Sequence, residues 1–150
     1  MSNMRHFDFG SSTNARFLSL GPNYGVTNIA SLPEEFTNDF TKVDIEDGVQ
    51  YVSPQRTMAD TLYASVQVFI ATKSASITSC TFKLQGSNIG GTASGVWSDI
   101  SGASVTPTDV GSYIINLPAS LKSTLYLRVV ADVEDADLEC YLVGLGYKNI

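Results

Sequence analysis

Leu62-Tyr-Ala-Ser-Val-Gln-Val-Phe-Ile-Ala71 is the stretch that decides the fold class. Leu62, Ala64, Val66, Val68 and Ile70 fall on one face of an extended chain, and Tyr63, Ser65, Gln67, Phe69 and Ala71 on the other. Side chains alternate across a strand, so period-two spacing of apolar residues predicts a strand with one face on a core. The pattern recurs along the chain. Thr78, Cys80, Phe82 and Leu84 share a face within 77–85, as do Tyr113, Ile115 and Leu117 within 111–117. Leu125, Leu127, Val129, Ala131 and Val133 share one within 124–133, and Leu138, Cys140 and Leu142 oppose Glu139, Tyr141 and Val143 within 138–146. Shorter candidate strands are Lys42–Ile45, Gly48–Ser53, Gly95–Ile100 and Ala103–Thr106.

Turn chemistry separates these runs. Gly86-Ser-Asn-Ile-Gly-Gly-Thr92 reads as a hairpin connection, and Ser101-Gly102, Thr106–Gly111 and Asp135–Asp137 read as turns, the last as a hairpin tip. Two local helical signals stand out. Ser31-Leu-Pro-Glu34 has capping-box spacing and predicts a short helix near residues 32–40, and Pro118–Lys122 predicts a single turn. No helical periodicity is long enough to carry parallel crossovers, so the strands are expected to pair antiparallel. The prediction is an all-β, antiparallel β-sandwich of jelly-roll or Greek-key topology.

The chain has 150 residues, the size of one domain with a real core. Alternation is dense in 61–150, which is expected to form the sandwich core. Residues 1–60 read as an N-terminal arm that partly completes it, within a single domain. That arm holds Phe7, Phe9, Phe17, Tyr24, Phe36, Phe40 and Tyr51, an aromatic content at odds with disorder. Phe7, Phe9, Phe17 and Tyr24 are the candidate interface residues, with packing inside the sandwich as the other reading of each.

Charge narrows the function classes. The net charge is -6, and the nine basic residues are scattered, so a nucleic-acid partner is not expected. Charged residues make up 16% of the chain, against about 25% for soluble domains. No apolar run approaches the roughly 20 residues that span a bilayer, and no signal-peptide pattern is read at the start. Synthesis in a cytoplasm, without a membrane partner, is the expectation, with Cys80 and Cys140 reduced.

Catalytic signals are sparse. His6 is the only histidine and lies close to the N-terminus, where a surface role is the simpler reading than that of a general base. Cys80 and Cys140 have no metal-ligand spacing and sit on apolar faces, which fits small core residues, with a disulfide as the other reading if their strands are neighbours. The acidic run Asp132–Glu139 matches no calcium loop and reads as a solvated acidic hairpin that serves as an electrostatic handle for a basic partner. Gly86–Gly91 lacks the Gly-Lys-Ser/Thr ending of a phosphate loop. Trp97 fits core or rim packing, with sugar stacking as its alternative. No catalytic residue, cofactor or metal ligand is assigned. A carboxylate-pair enzyme stays open because fifteen acids are present, but no pair stands out.

Four segments in order carry a family resemblance: Phe82-Lys-Leu-Gln-Gly-Ser-Asn88, Trp97-Ser-Asp-Ile100, Val110-Gly-Ser-Tyr-Ile-Ile-Asn-Leu-Pro118 and Leu125-Tyr-Leu-Arg-Val-Val130, with Val143-Gly-Leu-Gly146 closing the series. The pattern resembles the jelly-roll cement, or decoration, proteins of tailed bacteriophages, over roughly residues 62–150. The resemblance implies a structural virion protein on the capsid exterior, made in the host cytoplasm. It would bind the major capsid protein, self-associate as a homodimer or homotrimer, and stabilise contacts between capsid subunits without catalysis. Similar elements occur in carbohydrate-binding β-sandwiches, so a carbohydrate- or receptor-binding module, with Trp97 and Tyr63 as stacking platforms, is the alternative.

Overall fold

The computed structural model describes residues 4–10, 17–19, 40–57, 61–118 and 126–148; for 4–8, 17–19, 61–64 and 146–148 the backbone alone is described. Among the described residues, eleven strands form two antiparallel sheets. They are β1 (Met4–Asp8), β2 (Phe17–Ser19), β3 (Val43–Ile45), β4 (Tyr51–Val52), β5 (Arg56–Thr57), β6 (Thr61–Lys73), β7 (Ser79–Ser87), β8 (Ser98–Val105), β9 (Gly111–Asn116), β10 (Tyr126–Glu134) and β11 (Leu138–Lys148). The first sheet runs β2-β1-β11-β6-β9, with β3 also on β11, and the second runs β4-β10-β7-β8, with β5 also on β10. The all-β antiparallel sandwich expected from the alternation is the architecture observed.

The connectivity identifies the topology. From β3 onward the chain passes to the opposite sheet at nearly every step, and only β7 and β8 make a long hairpin within one sheet. The orders β3-β11-β6-β9 and β4/β5-β10-β7-β8 are those of a jelly roll, two Greek keys wound across a sandwich. Described parts of residues 1–60 add strands to both sheets: β1 and β3 lie end to end along one edge of β11, and β4 and β5 do the same along β10. The expected helix near 32–40 and the turn at Pro118–Lys122 lie outside the described residues, apart from Phe40 and Pro118 at their ends.

The core follows the alternation. Val66, Val68 and Ile70 of β6, Cys80, Phe82 and Leu84 of β7, Leu127, Val129, Ala131 and Val133 of β10, and Leu138, Cys140 and Leu142 of β11 face inward and are buried. Each large aliphatic among them contributes about 1.5–3 kcal/mol by leaving water. A second cluster lies on the outer face of the first sheet, where Tyr141 and Val143 are buried with Phe40 and flanked by Phe69 and Ala71. Cys80 and Cys140 are free thiols from opposite sheets. Burial pushes the Cys80 thiol up to about 11 and moves Cys140 in the same direction.

Two turns differ from their sequence reading. Ser101-Gly102 does not separate two strands. It lies inside β8, where the register against β7 slips between Lys83 and Gln85 and Gly102 takes φ 78°. A glycine in that left-handed region absorbs the extra residues of a bulge, so the strand continues past it. Asp135–Asp137 is not a hairpin tip, because β10 and β11 belong to different sheets. The segment is a crossover, and it turns the corner by burying Ala136 and placing Asp135 at φ 72°.

Candidate functional site

The candidate interface aromatics separate. Phe9 is fully buried in the sandwich core, and its N–H donates to the Leu142 carbonyl at 2.9 Å. A side chain without exposed surface has no contact to offer, so Phe9 serves the core of this chain. Phe7 and Phe17 are register partners across β1 and β2, which places them opposite one another. Tyr24 lies outside the described residues. His6 occupies a β1 position opposite Leu145 and Leu18.

The two acidic runs meet at one end of the sandwich. The Asp135 N–H donates to Asp47 Oδ1 at 2.7 Å, and the Asp47 N–H donates to Asp137 Oδ1 at 2.9 Å. Asp137 donates its own N–H to Ser74 Oγ at 2.8 Å and accepts the Ser74 N–H at its carbonyl at 2.9 Å. The Thr78 hydroxyl donates to the Asp135 carboxylate. Close by, Glu139 accepts from Lys42 Nζ at 2.9 Å and Thr72 Oγ1 at 3.0 Å, and the Lys42 bond holds its carboxyl below the usual value. These carboxylates bind the loops that present them. Among the described residues, no group of three or more His, Cys, Asp or Glu is placed to hold a metal ion.

A concavity lies on the outer face of the second sheet. It is a cleft of about 570 Å³ lined by β4, the β4–β5 connection, the β7–β8 loop and β10. Sequence explains its walls. Pro54 cannot donate to a ladder, so the edge strand breaks between β4 and β5. Ser53 keeps the chain pinned, donating its N–H to the Val129 carbonyl and accepting the Val129 N–H at Oγ, both at 2.8 Å. Across the cleft, Ser87 Oγ accepts the N–H groups of Ile89 and Gly90 at 3.1 and 2.9 Å and curls the loop. Gly90 sits at φ 75°, where a Cβ would stand 2.8 Å from both Gln55 Oε1 and the Tyr126 ring, so only glycine lets the loop close down. Gly91 then donates to Gln55 Oε1 at 2.7 Å and accepts from Trp97 Nε1 at 3.0 Å.

Arg128 forms the floor. Its guanidinium carbon lies 4.3 Å from the Trp97 ring centroid, and its Nε donates to Gln85 Oε1 at 3.0 Å. Gln85 Nε2 in turn donates to Asp99 Oδ1 at 2.8 Å, while Lys83 Nζ holds Asp99 Oδ2 at 3.1 Å. The bonds from Gln85 and Lys83 keep the Asp99 carboxyl below the ordinary range, and burial pulls Arg128 below its usual value. Arg128 is 7% exposed and Trp97 6%. Trp97 therefore packs against the sheet, as its rim reading expects, and offers no open ring face to a sugar. Tyr63 is described by its backbone alone.

Sequence reading passed over Arg128 as one letter of the segment Leu125–Val130. The available signal was an arginine in Leu127-Arg-Val-Val-Ala131, a run that is apolar on both sides of it. A lone cation on such a strand needs a special environment.

No family model matches the chain, and no curated protein matches it. Among solved structures, a crystal structure of PirA aligns with a TM-score of 0.43 at 14% identity, over 71% of this chain and 91% of that one. A likeness that loose carries no argument about function.

Proposed function

We propose that this chain is a structural virion protein that docks on the outside of an icosahedral phage capsid and clamps neighbouring major capsid subunits. One observation carries the reading: the segments that bear the resemblance map in order onto successive jelly-roll strands. Phe82–Asn88 ends β7 and opens its loop, Trp97–Ile100 enters β8, Val110–Pro118 spans β9, and the described part of Leu125–Val130 enters β10. Jelly rolls host capsid and lectin domains alike, so the support comes from each motif falling on a strand or its adjoining loop and not from the fold alone. The Trp97 ring, covered by Arg128, favours protein contacts over the glycan-stacking alternative.

The edge strand β9 is the surface we assign to self-association as a homodimer. It is the last strand of the first sheet, and among the described residues no strand pairs with its far side. Gly111-Ser-Tyr-Ile-Ile-Asn116 contains no charge and no proline, and its register with β6 runs without a bulge. Ile114 is 54% exposed. Edges of this kind normally carry a lysine, a proline or a bulge to prevent pairing. Two copies of β9 running antiparallel would form an isologous contact around Ile114.

The test is to mix the purified chain with empty major-capsid shells assembled without it. Co-sedimentation to saturation and a higher shell melting temperature are expected, with Ile114→Lys lowering the mass of the free chain to that of a monomer. Shells that neither retain the protein nor gain stability would end the capsid reading. A wild-type chain that already sediments as a monomer would end the β9 assignment.

A further inference from the structure

We propose that the cleft over β10 is a carboxylate-binding site whose Arg128 guanidinium receives an acidic side chain of a protein partner. The inference starts from an incomplete hydrogen-bond set. Arg128 Nε is taken by Gln85 and one face of the guanidinium by Trp97. Among the described residues, no hydrogen bond or ion pair reaches Nη1 or Nη2, although the residue is 7% exposed. These two nitrogens hold four of the five guanidinium N–H donors. Donors in a nearly buried residue need partners, and at the floor of an open cleft these are supplied by water or by a ligand that displaces it.

The geometry specifies the ligand class. With Nε occupied, the remaining edge of the fork is the Nη1–Nη2 end, which matches the two oxygens of one planar carboxylate. Trp97 fixes the plane of the guanidinium, and the Asp99–Gln85 relay fixes its rotation. A receptor held this way loses little conformational freedom on binding. Among the described residues, Arg128 is the only charged one lining the cleft, in a chain of net charge -6, which suits a single monoanion better than a phosphate. The walls favour an amino-acid side chain over a sugar acid. Val52 and Pro54 present an apolar flank to a methylene stem, and among the described residues lining the cleft no aromatic face is free for a pyranose. The proposal rests on the reading of this chain as a protein-binding domain.

The chain has one tryptophan, so Trp97 emission and its indole N–H resonance report directly on the cleft. The full chain is titrated with N-acetylglutamate N-methylamide, its glutamine counterpart, glucuronate and inorganic phosphate. A saturable shift with the glutamate compound alone is expected. Arg128→Lys keeps the charge, loses the fork, and should weaken binding about tenfold. Thr92→Asp, at an exposed position on the rim, should leave the fold intact and weaken binding roughly two- to threefold through like-charge repulsion. The assignment is overturned by no shift with the glutamate compound, by an equal shift with the glutamine compound, by tighter binding of glucuronate or phosphate, or by unchanged affinity in both variants. Shell binding is scored separately: a chain that clamps shells but ignores the glutamate probe loses this site and keeps its proposed function.

Discussion

The acidic end and the Arg128 cleft both concentrate charge, and they use it in opposite ways. At the acidic end, Asp47 and Asp137 accept main-chain N–H groups from one another's loops, and Asp135 accepts the Thr78 hydroxyl. The charge is spent inside the chain, on closing the crossover between β10 and β11. In the cleft a single cation is oriented by Trp97 and Gln85, and among the described residues its terminal donors are left open. Charge density along a sequence is therefore a poor guide to a binding surface. What distinguishes the two regions is whether each charged group finds its hydrogen-bond partners within the fold.

That contrast predicts its largest effect at the acidic end. If the Asp47 and Asp137 carboxylates are structural, removing both leaves the N–H groups of Asp135 and Asp47 without their acceptors. The double substitution Asp47→Ala/Asp137→Ala should destabilise the chain by about 2 kcal/mol, by analogy with the loss of helix caps. For a domain of this size that is a fall of roughly 4–8 °C in melting temperature. Binding of the glutamate probe in the cleft should be unchanged. A double variant that melts like the wild type would make the acidic end a free surface and erase the distinction.

Arg128→Met should do much less to stability. The substitution removes the cation–π contact and the bond to Gln85, and it also removes the cost of holding a charge away from water. Replacing a buried ionic group by an apolar one of similar volume is often close to neutral. The unfolding free energy should stay within about 1 kcal/mol of wild type, while the response to the glutamate probe disappears. A loss of more than about 2 kcal/mol would show that Arg128 is anchored in the fold as firmly as the aspartates.

These two regions also mark how far the sequence could be read. The sandwich was legible because Val66, Val68, Ile70, Phe82, Leu84, Leu127 and Val129 obey a period that local geometry enforces. The Asp135–Asp137 turn was visible as a turn. Its role as a crossover was not, because sheet membership depends on pairings with β3, β6 and β7 far away in the chain. The Gly102 bulge was misread for a related reason: glycine allows a positive φ in a turn and in a bulge alike, and only the partner strand distinguishes them. The cleft was the least legible feature. Gln50, Gln55, Gln85, Trp97, Asp99 and Arg128 come from four separate segments, and the motifs that hold four of them say nothing of how they meet. The segments of the family resemblance could be placed afterwards on β7 to β10, whereas Phe9, expected among the interface candidates, lies in the core.

The smallest effect concerns pH and tests whether the pairing at the acidic end extends to its rim. The hydrogen bond from Lys42 holds the Glu139 carboxyl below its ordinary value of 4.5, with Thr72 adding to the shift. A carboxyl whose folded-state pKa is depressed contributes stability that is present above the unfolded-state value and is lost as pH falls through the folded-state one. Glu139 should therefore add to stability at neutral pH and lose that contribution as the solution is acidified below about 4.5. Lys42→Met removes the main cause of the shift, so the dependence of melting temperature on pH between about 5 and 3 should become shallower. Both side chains are exposed, so the change should be small and should shrink further in high salt. Asp99 shows the same direction of shift, but it is held by Gln85 and Lys83 on the second sheet, and its share should survive in the Lys42 variant. An unchanged slope in Lys42→Met would place the acid sensitivity away from the crossover, at Asp99 or at Asp109, whose carboxyl Lys73 holds down in the same way.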